Sequence, residues 1–308
     1  MTICRNKALL GGYGLSKSYQ DKLTIKDITV ELFPGEIVSI LGVSGVGKTT
    51  LFNILSGLEA PDSGKVLLRG EDVTGKTGLV SYMQQKDLLL PFRTILDNVA
   101  VPLRLRGLEK KEAREQAAAY FADFGISGCE NKYPSQLSGG MRQRAAVLRS
   151  YLFSGEIMLL DEPFSALDAL TKASMHRWYE QFVRSKGSSA FLITHDIDEA
   201  LTLSDRIYII KGQPGQISYE LQLERKLQVE RKLQVERKLQ VERKLQVERK
   251  LPVERKLQVE RKLPVERKLQ LERRPNPDED FSDNNLSLND FSISAEYLDY
   301  KREILAHF

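Results

Sequence analysis

Through the first 220 residues, short apolar runs alternate with polar and glycine-rich stretches, and several of the runs end in residues that can carry chemistry. Residues 36–41, 156–160 and 191–194 are continuous apolar runs of strand length, the pattern of strands buried on both faces of a parallel sheet. Residues 205–210 form a similar run. After a turn at Gly212-Gln213-Pro214-Gly215 the chain returns along 216–223 with Ile217, Tyr219, Leu221 and Leu223 on one face, which predicts a hairpin. Helical character follows the first strand at 51–55. An amphipathic helix is predicted over 109–124, another helix over 141–150, and a last one over 295–305.

The residues at the strand ends sharpen this outline. Between the strand at 36–41 and the helix after it stands Gly-Val-Ser-Gly-Val-Gly-Lys-Thr-Thr, Gly42 to Thr50. Gly42, Gly45 and Gly47 permit backbone conformations that turn successive amides inward at a helix N-terminus, the arrangement that cradles phosphate. Ser44 and Thr50 complete the nucleotide-binding segment. Lys48 is placed to reach the β and γ phosphates, and the Thr49 hydroxyl to ligate magnesium. A glycine-rich turn is the competing reading, and the strand and helix around the motif count against it. The run at 156–160 delivers two carboxylates at its end, Asp161 for magnesium and Glu162 as general base for the attacking water. An acidic pair after a strand is common, so this assignment leans on what surrounds it.

Leu137-Ser138-Gly139-Gly140-Met141-Arg142-Gln143-Arg144 lies between these two elements, about ninety residues after Lys48. With Pro163-Phe164-Ser165-Ala166-Leu167-Asp168 and Thr194-His195-Asp196, the order of motifs resembles the ATP-binding subunit of an ABC transporter over residues 8–220 and a short C-terminal piece. That resemblance implies an α/β P-loop NTPase fold of the ABC ATPase type. It has a RecA-like core, an antiparallel β subdomain and a helical signature subdomain at about 86–152. It also implies residue roles. Ser138, Gly139 and Gly140 cap the γ-phosphate held by a second subunit, so two copies pair head to tail around two ATP molecules. Asp168 is a dimer-contact residue, and His195 takes the place of the γ-phosphate histidine. Tyr19 stacks on adenine, although a surface tyrosine in a turn remains the plainer alternative. Gln85, rather than its neighbour Gln84, is the glutamine that senses magnesium and the γ-phosphate.

The stretch from Leu88 to Val99 is similar to the corresponding one in ATPases of nitrate, sulfonate, taurine and pyrimidine-precursor importers, which more often carry tryptophan where this chain has Phe92. The implied partners are transmembrane permease subunits and an extracytoplasmic solute-binding protein, with no nucleic acid. The implied location is the cytoplasmic face of the cell membrane, held there through the permease. Nothing in these residues reads the solute. Soluble ABC ATPases that act on DNA or ribosomes carry fused paired domains or long coiled-coil insertions, and this chain has neither.

Composition is consistent with a peripheral subunit. The 308 residues are 41% hydrophobic, enough for one large α/β domain with a helical insertion. No apolar run approaches the roughly eighteen to twenty residues that span a bilayer, and the N-terminus lacks a signal peptide's apolar stretch. Cys4 and Cys129 form no metal or disulfide pattern, which points to a reducing compartment.

Residues 221–274 depart from any ATPase the chain resembles. They are nine six-residue units of the type Leu-Gln-Val-Glu-Arg-Lys, with Pro252 and Pro264 replacing glutamine in two. The first and last units have leucine in place of valine, as expected of a tandem expansion of one strand end. On a helix a six-residue period turns each leucine by about 240°, so no apolar stripe forms. The nine units carry +9, residues 275–308 carry −6 and residues 1–220 carry +1, within a net charge of +4. A basic arm beside a bilayer gains about 1 kcal/mol per basic residue from anionic headgroups; a solvated insertion is the plainer reading. Residues 275–308 then read as an acidic linker and the final helix.

Overall fold

The apolar runs at 37–41, 157–161 and 189–194 become the middle of a six-stranded sheet in a computed structural model that describes residues 7–85, 88–223 and 295–308. The hexad units beyond Leu223, the acidic linker, Cys4, Lys86 and Asp87 lie outside the described residues. The chain divides into two units, residues 1–228 with 300–308, and residues 229–299. Of the second unit only 295–299, the start of the last helix, are described.

In the first unit the strands and helices follow in the order β1 (Leu10–Tyr19), β2 (Lys22–Leu32), β3 (Ile37–Leu41), α1 (Lys48–Leu55), β4 (Ser63–Leu68), β5 (Glu71–Asp72) and β6 (Ser81–Met83). There follow α2 (Ile95–Val99), α3 (Val101–Leu105), α4 (Lys110–Ala118), α5 (Gly139–Phe153), β7 (Ile157–Asp161), α6 (Ala169–Lys186) and β8 (Ser189–Thr194). The chain continues through α7 (Ile197–Leu203), β9 (Arg206–Lys211) and β10 (Gln216–Gln222), and α8 (Ala295–His307) is the final helix. A four-stranded antiparallel sheet has the order β2-β1-β4-β5. The larger sheet runs β10-β9-β3-β8-β7-β6, parallel throughout except for the β9–β10 hairpin.

Alternation along the central strands divides the apolar residues between two cores, because successive strand side chains point to opposite faces. Val38, Ile40, Ile157, Leu159, Phe191 and Ile193 pack with α1 and the antiparallel sheet. Ile37, Met158, Leu160, Ala190 and Leu192 pack with residues of α2 to α6. The sheet is therefore covered on both faces, which is why its inner strands read as unbroken apolar runs.

Register then aligns the strand ends. Leu41 pairs with Thr194, Asp161 with Ile193, and Met83 with Leu160, so four parallel strands release their following loops along one edge. One expectation fails: the helix predicted over 109–124 ends at Ala118. Tyr120 and Phe121 donate their amides to Ala117 and Ala118, three residues back, and the tightened turns carry Phe121 and Phe124 into the core. The helix predicted over 141–150 is longer than expected, Gly139–Phe153; at its start the Ser138 side chain caps the first turn, so the helix begins at Gly139.

Candidate functional site

At the end of β3 the chain turns through Gly42 to Gly47 into α1. A Cβ on Gly42 would stand 2.7 Å from the Ile210 carbonyl oxygen, and one on Gly47, whose φ is +103°, would stand 2.3 Å from Ile25. Glycine is required at both positions by the close approach of β9 and β2. Lys48 folds back over the loop and donates from Nζ to the carbonyl oxygens of Gly42 at 2.7 Å and Val43 at 2.9 Å. Burial holds its ammonium below the usual lysine range, with the carboxylates of Glu162 and Asp161 pulling the other way. A buried, polar-bonded cation at a helix N-terminus is suited to an anion that can replace those carbonyl contacts.

Thr49 links this loop to β7, its hydroxyl donating to Asp161 Oδ2 at 2.9 Å, and the Tyr82 hydroxyl donates to the same oxygen at 3.4 Å. Burial pushes the Asp161 carboxyl above the usual carboxylate range. A nearby cation would relieve that penalty. No group of three His, Cys, Asp or Glu residues that could hold a metal occurs among the described residues. A hydroxyl and a buried carboxylate, as Thr49 and Asp161 supply, fit magnesium, which takes one or two protein ligands and completes its shell with phosphate oxygens and water.

Glu162 is the centre of the next contact. Its backbone sits at φ +46°, its amide donating to the Ile193 carbonyl at 3.0 Å, so the side chain leaves the strand edge facing the neighbouring loops. Gln85 Nε2 donates to Glu162 Oε2 at 3.0 Å, and His195 Nδ1 lies 3.2 Å from Glu162 Oε1. Three loops that follow different parallel strands thereby meet on one carboxylate.

Tyr19 lies beside the phosphate loop: the Thr50 side chain is hydrogen-bonded to it, its hydroxyl donates to Glu59, and 41% of its surface is exposed. Ser138 and Asp168 serve helix starts. Ser138 Oγ accepts from the Met141 amide at 3.4 Å, and Asp168 accepts from the Thr171 amide at 3.0 Å and hydroxyl at 2.7 Å. A Cβ on Gly139 or Gly140 would meet Leu167 at 3.3 Å or Thr171 at 2.8 Å. The start of α5 therefore abuts the segment around Asp168, and among the described residues no hydrogen bond or ion pair joins Ser138, Gly139 or Gly140 to the phosphate loop.

Residues 25–165 match the family described as ABC transporter. The chain is 49% identical over 190 residues to the formylaminopyrimidine import ATP-binding protein ThiZ of Halalkalibacterium halodurans, covering 62% of this chain and 74% of that protein. This chain belongs to the ABC transporter family of ATP-binding proteins. It is also 42% identical to the aliphatic sulfonates import ATP-binding protein SsuB 1 of Rhodococcus jostii, across 65% of this chain and 78% of that relative. With the taurine import ATP-binding protein TauB of Yersinia pestis it shares 37% identity, over 70% and 84% of the two chains. A solved structure described as the dimeric structure of MJ0796, a bacterial ABC transporter cassette, superposes with a TM-score of 0.62 at 27% identity, over 70% of this chain and 99% of that one. The expected ABC ATPase fold and ATP-hydrolysing activity are those of the family.

Several residues of this ABC ATPase site escaped the sequence reading. Tyr82 buttresses Asp161 from β6, a role that only the pairing of Tyr82 with Leu159 makes visible. Asn98 is wholly buried and makes four bonds to the preceding loop: with the amide and carbonyl of Leu90 and with the carbonyls of Arg93 and Thr94. A lone asparagine in a helical pattern gave no signal of this. Arg149, on α5, donates to the Leu88 carbonyl at 2.8 Å. The loop so held presents Leu88, Leu90 and Phe92 to solvent, Phe92 with 92% of its surface exposed, beside a cavity of about 320 Å³ lined by Ser56, Thr77, Gln84, Pro102, Arg149 and Phe153.

Proposed function

We propose that this ABC ATPase powers import of a small organic solute through a separate membrane permease, with Glu162 as the base for ATP hydrolysis. The observation that carries the reading is the Glu162 carboxylate held between Gln85 and His195, at the end of β7, with β8 between it and the strand that leads into the phosphate loop. Lys48 exchanges its carbonyl partners for phosphate oxygens, and the amides from Gly42 to Thr50, with Ser44, receive the rest of the phosphate chain. Tyr19 offers its ring to the adenine. Thr49 and Asp161 would hold magnesium, with Gln85 nearby. The ion, when bound, neutralises charge on the phosphates.

Glu162 takes the proton of the attacking water, and Gln85 and His195 fix its orientation; His195 also faces the γ-phosphate. The likeness to a cassette solved as a dimer supports a pair of copies, which we arrange head to tail around Ser138, Gly139 and Gly140. In it they meet the partner copy's γ-phosphate, and Asp168 contacts the partner. ATP then draws the two copies together, and hydrolysis releases them.

The permease docks on the apolar loop of Leu88, Leu90 and Phe92. An exposed apolar surface held by bonds from both α2 and α5 suits a surface that must transmit movement. Among the described residues no helix is long and apolar enough to cross a membrane. In this reading the subunit sits at the cytoplasmic face through its partner, and an extracytoplasmic solute-binding protein delivers the solute. The relatives' names point to sulfonates, taurine and formylaminopyrimidines as the solute class.

Glu162→Gln tests the base. It preserves size and one acceptor oxygen, so ATP binding should persist while hydrolysis slows by about 10² to 10⁴. ATP should then hold the protein as a dimer. Hydrolysis at the parent rate in the assembled transporter would refute the assignment.

A further inference from the structure

Below the histidine loop lies a polar cluster that the chemistry above does not use. Lys172, in the first turn of α6, donates from Nζ to Asp196 Oδ2 at 2.6 Å and lies 3.1 Å from Glu199 Oε2. Asp196 caps α7, its other oxygen accepting from the amides of Asp198 at 3.0 Å and Glu199 at 3.2 Å. Its own amide donates to Thr194 Oγ at 3.0 Å, and that hydroxyl donates to Glu199 Oε2 at 3.1 Å. Both sequence neighbours of His195 are thus fastened to one network, and its only cation in these contacts is Lys172.

The carboxylate being neutralised is deep. Glu199 is 4% exposed, and its Oε1 has no hydrogen-bond partner; on that side His176 Nε2 lies 3.9 Å away and likewise has none. Compensation of Glu199 rests on Lys172 and Thr194, and a buried carboxylate that loses its cation drives its neighbours to rearrange. Lys172 is also tied to the start of its helix, where its amide donates to the Asp168 carbonyl at 2.8 Å.

We propose that Lys172 is a positioning residue for hydrolysis, joining the helix that begins at Asp168 to the loop that presents His195 to Glu162. The inference rests on the reading of His195 given above. A displacement of the α6 N-terminus moves Lys172, and through Asp196 and Thr194 it moves the peptide units on either side of His195. Lys172 itself touches neither nucleotide nor water. A purely structural ion cluster would instead make its loss felt in stability and leave the turnover of the folded protein alone.

The test uses the full-length chain with MgATP. Lys172→Met should lower kcat by about 10- to 100-fold, the scale of an ångström-sized misplacement, with KM for ATP changed by less than about threefold. Lys172→Arg, which keeps the charge, should recover most of the rate. In a His195→Ala background Lys172→Met should lower the rate by less than about twofold, because the positioned group is already gone. Equal losses in both backgrounds, or a loss confined to KM, would overturn the coupling. Should Lys172→Met not fold, Asp196→Asn retains the α7 cap and carries the same expectations. His195→Ala at the parent rate sinks the reading of His195 and this inference with it; His195→Ala slowed with Lys172→Met at the parent rate sinks this inference alone.

Discussion

Acidifying the nucleotide-free protein should destabilise it through His176. The residue is 9% exposed, its ring meets Phe164 edge to face at 4.8 Å, and its Nε2 has no hydrogen-bond partner. Burial, helped by the Lys172 cation and opposed by Asp196, lowers its pKa from 6.5 to about 4. The folded value lies below the unfolded one. At pH 7 both states are therefore neutral at this residue. As pH falls through 6.5 the unfolded chain takes up a proton that the folded chain refuses, and stability drops until the folded histidine also titrates near 4. At 1.36 kcal/mol per pH unit the full loss is about 3 kcal/mol, of which about 2 kcal/mol is reached at pH 5. Glu199 acts in the opposite sense: burial raises its carboxyl above the ordinary range, so its protonation in acid favours the folded state. The parent's own pH curve blends the two. The informative measurement is urea unfolding of the parent and of His176→Phe at pH 7, 6 and 5. The variant should gain about 2 kcal/mol relative to the parent between pH 7 and 5. Parallel curves for the two proteins would show that the buried ring does not resist protonation.

The remaining expectations concern assembly and the repeat. Mixing Lys48→Ala with Ser138→Arg subunits should give heterodimers with one site damaged twice and one intact, so that nucleotide binds one site per dimer and cross-links to the subunit that retains Ser138. Labelling confined to the subunit that supplies the phosphate loop would exclude the shared site. Deleting Lys226 through Arg273, so that Arg225 runs into Arg274, should leave ATPase activity and transport within about twofold. Binding to anionic vesicles should fall, most at low salt, because the deleted hexads carry most of the excess positive charge. Transport abolished with permease assembly and ATPase intact would make the hexads a functional element.

What the sequence made legible follows from how each residue earns its environment. β3, β7 and β8 are apolar at nearly every position because both of their faces are covered, so a single strand reveals itself without reference to its partners. Glu162 and His195 stand directly after such strands and Lys48 one loop beyond another, and the parallel register gathers them in the fold. The antiparallel sheet was not placed strand by strand. Register shifts along β1 interrupt its alternation, between Gly12 and Leu15 and again before Lys17 and Ser18. The helices α2 and α3 were missed for a different reason: each is only five residues long, too short for a period to repeat. The cluster of Lys172, His176, Asp196 and Glu199 was invisible because no pattern along the chain pairs one turn of α6 with the start of α7. Only the fold brings those charges within reach.

The position of the hexads can be argued from the same topology. β9 runs parallel to β3, and the glycine loop of residues 42–47 follows the end of β3 at Leu41. β10 is antiparallel to β9, with Gln216 opposite Lys211 and Gln222 opposite Arg206. The chain therefore leaves β10 at the end of the sheet where β9 begins, opposite the edge that gathers Lys48, Glu162 and His195. Leu221 and Leu223 are buried and the Leu223 amide donates to the Asp205 carbonyl at 2.9 Å, so the first three residues of the first hexad complete the strand. When the chain returns, the second half of α8 packs on the same strand: His307 stacks on Tyr219 with ring centroids 4.0 Å apart, Glu303 accepts from the Tyr219 hydroxyl, and Ile304 is buried. The hexads roughly triple the sequence distance between these two attachments. Tripling a connection raises its closure entropy by about 1 kcal/mol at most, since that term grows with the logarithm of length. The described residues that flank the expansion are thus both fixed along β10, and Leu223 lies at the end of the sheet opposite the edge that gathers Lys48, Glu162 and His195.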